Sequence, residues 1–289
     1  MLSTDFRPSP ELYPFESRWF EGPRGRMHYL DQGQGQPILL VHGNPTWSFL
    51  YRKMIPWLTK SGFRCVVPDL LGYGLSEHPV GFGFTAREQV EALLALVQAL
   101  ELEELVVLGQ DWGGPIALGV AVQTPESIRG IVLGSTFAWR ASGITRCIGH
   151  VLRLGMVQRW MVNGAHFIEW VMGLARTSLT RQELDHYQLV ASVPDLRRAK
   201  AILPLELIDA DEWLDELERA VVERLGEART LLVHGKKDAF SGSAVRRLAR
   251  MLPDHVVLTL PHAGHFFQED AHREVSDAIR ERFCLGAST

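Results

Sequence analysis

Leu105-Val106-Val107-Leu108-Gly109-Gln110-Asp111-Trp112-Gly113-Gly114-Pro115 sets the reading of the whole chain. Its first four residues form an apolar run rich in β-branched side chains, which predicts a buried strand. Ile116 to Val122 predicts a helix, and Pro115 suits its first turn, where a missing N–H costs nothing. Between them, Gly109-x-Asp111-x-Gly113 has the spacing of a nucleophile elbow, with Asp where Ser is commoner. So sharp a strand-to-helix turn brings backbones close together, and only a residue without Cβ fits beside it. The turn lifts one side chain over the end of the sheet, at a helix N-terminus. An Asp there also has a plainer reading as an N-cap, but a cap needs no glycine on both sides.

A carboxylate in that place changes the chemistry. Serine needs a base to take its proton, whereas an Asp is already ionised at neutral pH. Such a carboxylate displaces a leaving group from saturated carbon and leaves an ester on the enzyme, which water must then hydrolyse. The helix N-terminus and nearby N–H groups favour the anion and later the tetrahedral oxyanion.

Outward from the elbow, strands and helices alternate. Met27–Leu30, Pro37–Val41, Cys65–Asp69 and Ile128–Leu133 read as strands, and Thr85 caps a helix with apolar residues at Val90, Leu93, Leu94, Val97 and Leu100. The first 25 residues, rich in Pro and aromatics, are expected to wrap the edge of the core. The pattern predicts a mostly parallel, doubly wound α/β sheet, with ligands bound beyond the carboxyl ends of the strands. From about 136 to 228 the signals become helical: Ile148–Val157, Arg159–Leu174, Thr180–Leu189 and Leu214–Leu225. Strands resume at Arg229–Gly235 and His255–Leu260, and a closing helix is expected from about Glu269 to Phe283.

With 289 residues, 46% hydrophobic and 22% charged, the chain reads as soluble and long enough for one large domain with an insertion. A net charge of -4 argues against a nucleic-acid surface. No apolar run is long enough to span a membrane, and the start of the chain lacks the form of a signal peptide. Cys65, Cys147 and Cys284 are far apart and odd in number, so neither a disulfide framework nor a metal motif follows, and a cytoplasmic location is expected.

Gly109-Gln110-Asp111-Trp112-Gly113-Gly114 resembles the nucleophile motif of the haloalkane dehalogenases and of the related epoxide hydrolases. His42-Gly43-Asn44-Pro45-Thr46-Trp47-Ser48 resembles the dehalogenase form of the His-Gly-x-Pro loop. Both families belong to the α/β-hydrolase superfamily. The resemblance runs over nearly the whole chain and is weakest from about Ala138 to Ala228. It implies an α/β-hydrolase fold with a helical cap inserted after the sixth strand: core 1–135, cap 136–228, core 229–289.

The resemblance also completes the site. It places the catalytic base at His265, in the loop after the last expected strand. His262, three residues away, competes but does not match the motif. His28, His78, His150, His166, His186, His255 and His272 are expected at the surface. The base needs a carboxylate to fix its tautomer, and Asp238 fits the superfamily's order and its place after the preceding strand. Some dehalogenases carry that acid one strand earlier, but Leu133-Gly134-Ser135-Thr136-Phe137 has no carboxylate. Asp69 reads as a turn or surface residue. A departing halide is a weak base, so it needs N–H donors in a dry pocket rather than a proton. Asn44 and Trp112 flank the nucleophile and match the family's halide-binding pair, and their backbone N–H groups match its oxyanion hole. Asn44 also has a reading in loop geometry, with a cis bond to Pro45, and Trp112 one in packing. Trp47, Phe137, Trp139, Phe167 and Trp170 divide equally between pocket lining and core.

The resemblance implies hydrolysis of a small apolar haloalkane to alcohol, halide and proton, with no cofactor or metal, and it leaves room for an oligomer. Asn44 combined with an acid at Asp238 resembles the third dehalogenase subfamily. An epoxide hydrolase is the nearest alternative, but it needs acids to protonate an alkoxide, and the cap offers only Tyr187 for that family's tyrosine pair. A haloacid-type enzyme carries Arg where Trp112 stands. A ligand receptor or a luciferase-like oxygenase on the same scaffold is the remaining class.

Overall fold

Residues 7–163, 167–175, 179–190 and 197–284 are described by the structure, a computed structural model. Among them eight strands form one sheet: β1 (Arg18–Gly22), β2 (Gly25–Gln32), β3 (Gln36–Val41), β4 (Phe63–Pro68), β5 (Leu105–Asp111), β6 (Ile128–Thr136), β7 (Thr230–Gly235) and β8 (His255–Leu260). Their order is β1-β2-β4-β3-β5-β6-β7-β8. β1 and β2 pair antiparallel with each other, as do β2 and β4, and every other pairing is parallel. This is the fold expected from the alternating pattern, except for β1. The start of the chain does cover an edge, but it does so as a strand. Exposed along most of its length, β1 lacks the apolar alternation that marks a strand.

The helices are α1 (Ile55–Lys60), α2 (Ala86–Ala99), α3 (Gly113–Ala121), α4 (Gly143–Leu152), α5 (Gly155–Asn163), α6 (Phe167–Leu174), α7 (Arg181–Val190), α8 (Arg197–Asp209), α9 (Asp211–Leu225), α10 (Ser241–Met251), α11 (Phe267–Asp270) and α12 (His272–Phe283). Thr85 caps α2 as expected, in a reciprocal capping box with Glu88. Three helical expectations need correction. The helix expected over 148–157 is interrupted between α4 and α5. The closing helix breaks at Ala271, and the sequence carried no expectation of α1, α8 or α10. Pro204 lies inside α8 and obscures its periodicity.

Alternate residues of the central strands feed two apolar layers. Leu105 and Val107 of β5 pack with α2, α3, α9 and α10, while Val106 and Leu108 pack with α1 and α12. Each fully buried Leu or Val contributes about 1.5–3 kcal/mol, so both faces of β5 are fixed and its carboxyl end is held rigidly. No described helix is long and apolar enough to cross a membrane.

Three residues expected at the surface are buried. His28 holds Asp69 through Nδ1 at 2.8 Å and Ser17 through Nε2 at 2.9 Å. Asp69 also accepts from the Ser48 N–H at 2.7 Å and the Leu75 N–H at 2.8 Å, and His28, His42 and the Leu75 N–H hold its carboxyl low against the effect of burial. It is a structural hub that fixes the loop after β4. His186, on α7, stacks on Phe49. His166 lies outside the described residues.

A buried ionic cluster joins α7 to the core. Arg52 pairs with Glu183 at 2.5 Å and with Glu269, and Lys53 reaches the same two carboxylates at 2.8 and 2.9 Å. The Tyr187 hydroxyl donates to Glu269 at 2.6 Å. Burial pushes Glu183 upward, but Lys53, the Thr180 N–H and Arg52 together bring it down to about 2, so Glu183 stays ionised.

Candidate active site

The elbow forms where the glycine spacing requires. Asp111 closes β5 with φ +53°, in the left-handed region, and α3 begins two residues later. A Cβ on Gly109 would lie 2.5 Å from the Gly113 carbonyl, and one on Gly43 would lie 2.5 Å from the Asp111 Cβ. Thr136, at the end of β6, donates its hydroxyl to the Asp111 carbonyl at 2.6 Å and pins the strained residue.

The loop after β3 closes over Asp111. The Asn44 backbone N–H donates to Asp111 Oδ1 at 2.8 Å. The bond from Asn44 to Pro45 is cis. His42 is fully buried: Nε2 accepts from the Leu70 N–H at 3.0 Å while Nδ1 donates to the Gly43 carbonyl at 2.9 Å. Burial keeps His42 below the usual histidine range, so it serves as a neutral brace rather than a base.

His265 stands between two carboxylates. Its Nε2 is 3.7 Å from Asp111 Oδ2 and its Nδ1 is 3.1 Å from Asp238 Oδ2. Burial alone would lower its pKa. Hydrogen bonding and charge from Asp111 and Asp238 outweigh that effect and raise it to about 9. Burial likewise opposes ionisation of Asp238, but His265, the Phe240 N–H and the Ser135 hydroxyl hold its carboxyl low. His262 lies at the surface beside Glu274, at 3.4 Å. Gln110, which carried no signal in the sequence, donates its amide to the His265 carbonyl at 3.3 Å and ties the His265 loop to the elbow strand.

Asn44 and Trp112 both flank Asp111. The Asn44 Oδ1 accepts from the Tyr73 hydroxyl at 3.0 Å. Among the described residues, neither the Asn44 amide nitrogen nor the Trp112 indole nitrogen donates to a protein acceptor. Trp112 packs edge-on against Phe137 at 5.0 Å. Of the other aromatics, Trp47 is core and Trp139 lies under Arg247. Phe167 is buried against Trp160, and Trp170 is exposed.

A family model for the alpha/beta hydrolase fold matches residues 36–150. Haloalkane dehalogenase 2 of Mycobacterium tuberculosis is 44% identical over 286 residues, covering 98% of this chain and all of its own length. The chain belongs to the haloalkane dehalogenase family. A crystal structure of a haloalkane dehalogenase loop variant from Bradyrhizobium elkanii superposes with a TM-score of 0.81 at 23% identity, over 92% of this chain and 95% of its own. A more distant relative, the cis-3-alkyl-4-alkyloxetan-2-one decarboxylase of Shewanella oneidensis, is 29% identical and covers 93% of this chain and 88% of its own length. In this dehalogenase-family chain Tyr187, which the epoxide hydrolase alternative would need as an acid, is buried and committed to Glu269.

Proposed function

We propose that the protein hydrolyses haloalkanes through an ester on Asp111. The observation that carries this reading is one carboxylate on the elbow facing a carboxylate-held histidine, with two N–H donors beside it that no described residue accepts from. Asp111 Oδ1 is held by the Asn44 N–H, so Oδ2 attacks the halogen-bearing carbon in line. The carbon–halogen bond breaks, and the halide leaves toward the Asn44 amide and the Trp112 indole. His265 then takes a proton from water, which attacks the ester carbonyl. The oxyanion forms at the Asn44 and Trp112 backbone N–H groups, and collapse releases the alcohol. Residues 136–228 act as the cap, and Asn44 with an acid at Asp238 supports placement in the third subfamily. Three cysteines without a disulfide among the described residues suit a reducing cytoplasm.

One turnover in heavy-oxygen water tests the covalent step: label should enter the Asp111 carboxylate, and the first alcohol formed should carry none. Label found only in that alcohol would exclude an ester on Asp111. The substrate panel for steady-state halide release should include bromo- and chloroalkanes, an epoxide and an oxetan-2-one. The name of the Shewanella relative brings in the last of these. Opening that ring at its saturated carbon also expels a carboxylate, which needs no proton.

The histidine's raised pKa predicts when the proton leaves. Below about pH 9 the resting His265 is an imidazolium, held so in part by the charge of Asp111. Alkylation turns Asp111 into a neutral ester, the support is withdrawn, and the imidazole becomes a free base. At pH 8 a stopped-flow trace with an indicator dye should show the proton appearing with the halide, ahead of the alcohol. Well above pH 9 the early proton should disappear, because the ring is neutral from the start. A proton that appears only with the alcohol at pH 8 contradicts this sequence.

A further inference from the structure

The loop from Asp69 to Ser76 connects β4 to the rest of the core and is clamped throughout. Asp69 accepts from Leu75, the Ser76 hydroxyl donates to the Asp69 carbonyl at 2.6 Å, and the Gly72 N–H donates to the Glu77 carbonyl at 2.8 Å. Tyr73 projects from this rigid loop. Its ring packs edge-on against His42, and only 3% of the residue is exposed. Its hydroxyl lies 3.0 Å from Asn44 Oδ1 and 3.0 Å from the Ala199 carbonyl on α8. A hydroxyl has one proton, so these two acceptors share it.

An amide has two faces of opposite polarity. When Oδ1 accepts from Tyr73, the NH2 group faces away from it, toward the leaving-group side of Asp111. A flipped amide would turn its oxygen toward a departing anion, where it repels. On the dehalogenase reading above, the first orientation works and the second does not. We propose that the Tyr73 hydroxyl is a positioning residue that fixes the Asn44 amide with its donor face toward the halide, from a place set by the cap helix α8.

α8 is itself fixed. Glu206 accepts from the first N–H of α2, at Ala86, at 3.2 Å. A Cβ on Gly72 would lie 2.6 Å from that of Ala199, so helix and loop are in close contact. The Ala199 carbonyl competes for the same proton. An outward shift of α8 releases the proton wholly to Asn44, and an inward shift draws it away. The polarity of the leaving-group site is thereby tied to the position of the cap.

Tyr73→Phe tests this, since it deletes the proton and keeps the ring. Single-turnover bromide and chloride release should slow roughly tenfold or more, a fraction of what losing a whole oxyanion-type donor costs. Bromide affinity, read from tryptophan quenching, should fall with it. The melting temperature and the rate of ester hydrolysis should stay near wild type, which a merely structural defect would not allow. In an Asn44→Ala background the substitution should add nothing, because the amide it orients is gone. Unchanged halide release and binding in Tyr73→Phe overturns the proposal, as do losses that add to those of Asn44→Ala or fall equally on ester hydrolysis. A wild type that releases no halide overturns the dehalogenase reading instead, and the bromide-binding arm then decides the role of Tyr73 by itself.

Discussion

His265→Phe is expected to release one halide per active site and then stop. In the proposed mechanism Asp111 needs no base to attack carbon, so the first half of the cycle should survive. The second half needs a proton taken from water, and a positioned base contributes roughly 10²–10⁴ to such a step. Steady turnover should fall by that factor while the halide burst persists. Mass spectrometry should find the alkyl group on the peptide carrying Asp111. Phenylalanine preserves an aromatic ring beside Phe266, whose centroid lies 5.0 Å from that of His265, so packing changes little. His262 cannot stand in, because it lies at the surface beside Glu274. Undiminished steady turnover would assign the base elsewhere.

Trp112→Phe should cost about 10²–10³ in the rate of halide release, the effect of removing one charge-assisted donor from a desolvated site. The ring remains against Phe137, so the variant separates the indole N–H from its packing. Asn44→Ala should cost a similar factor while leaving the backbone N–H that Asp111 accepts. Both bonds strengthen as charge grows on the halogen, so kcat should fall along with binding. Chloride, with its denser charge, should suffer more than iodide. Bromide should quench wild-type tryptophan fluorescence, and Trp112→Phe should abolish the part due to contact with that indole. If bromoalkane turnover and bromide binding survive both substitutions, the pair does not hold the halide.

The residues most legible in the sequence are those whose position follows from local geometry. The elbow announces itself because its steric requirement is written in glycines two residues either side of Asp111. His265 and Asp238 lie in loops at the carboxyl ends of recognisable strands, but the resemblance, not geometry, singles them out there. The contacts that brace them left no local trace. Tyr73 meets Asn44 across 29 residues, Thr136 meets the Asp111 carbonyl across 25, and Gln110 meets His265 across 155. His28 and Asp69 look like surface residues until the antiparallel pairing of β2 with β4 buries them together. α10 had a readable signal in Val245, Leu248 and Met251, spaced three apart on its buried face. α8 did not, because Pro204 and its charges conceal a helix that is buried at Ala199, Ala201 and Leu203.

The ionic cluster around Arg52 divides the helical segment into a hinge side and a free side. Two cations and two carboxylates there are mutually dependent. Removing Arg52, Glu183 or Glu269 leaves an unbalanced buried charge, a change that typically costs about 3–5 kcal/mol when a buried pair is broken. Those residues join α7 to α11, the helix that directly follows His265, while α8 is fastened to α2 and to the loop of Tyr73. α4 and the turn that follows it have their ion pairs within the segment, from Arg146 to Asp211 and from Arg153 to Asp209. Inherited change is therefore unevenly affordable along this one stretch of chain. Substitutions in α4 and α5 are expected to leave the surroundings of His265 undisturbed, whereas α7 is tied through Glu183 and Arg52 to the helix that follows His265.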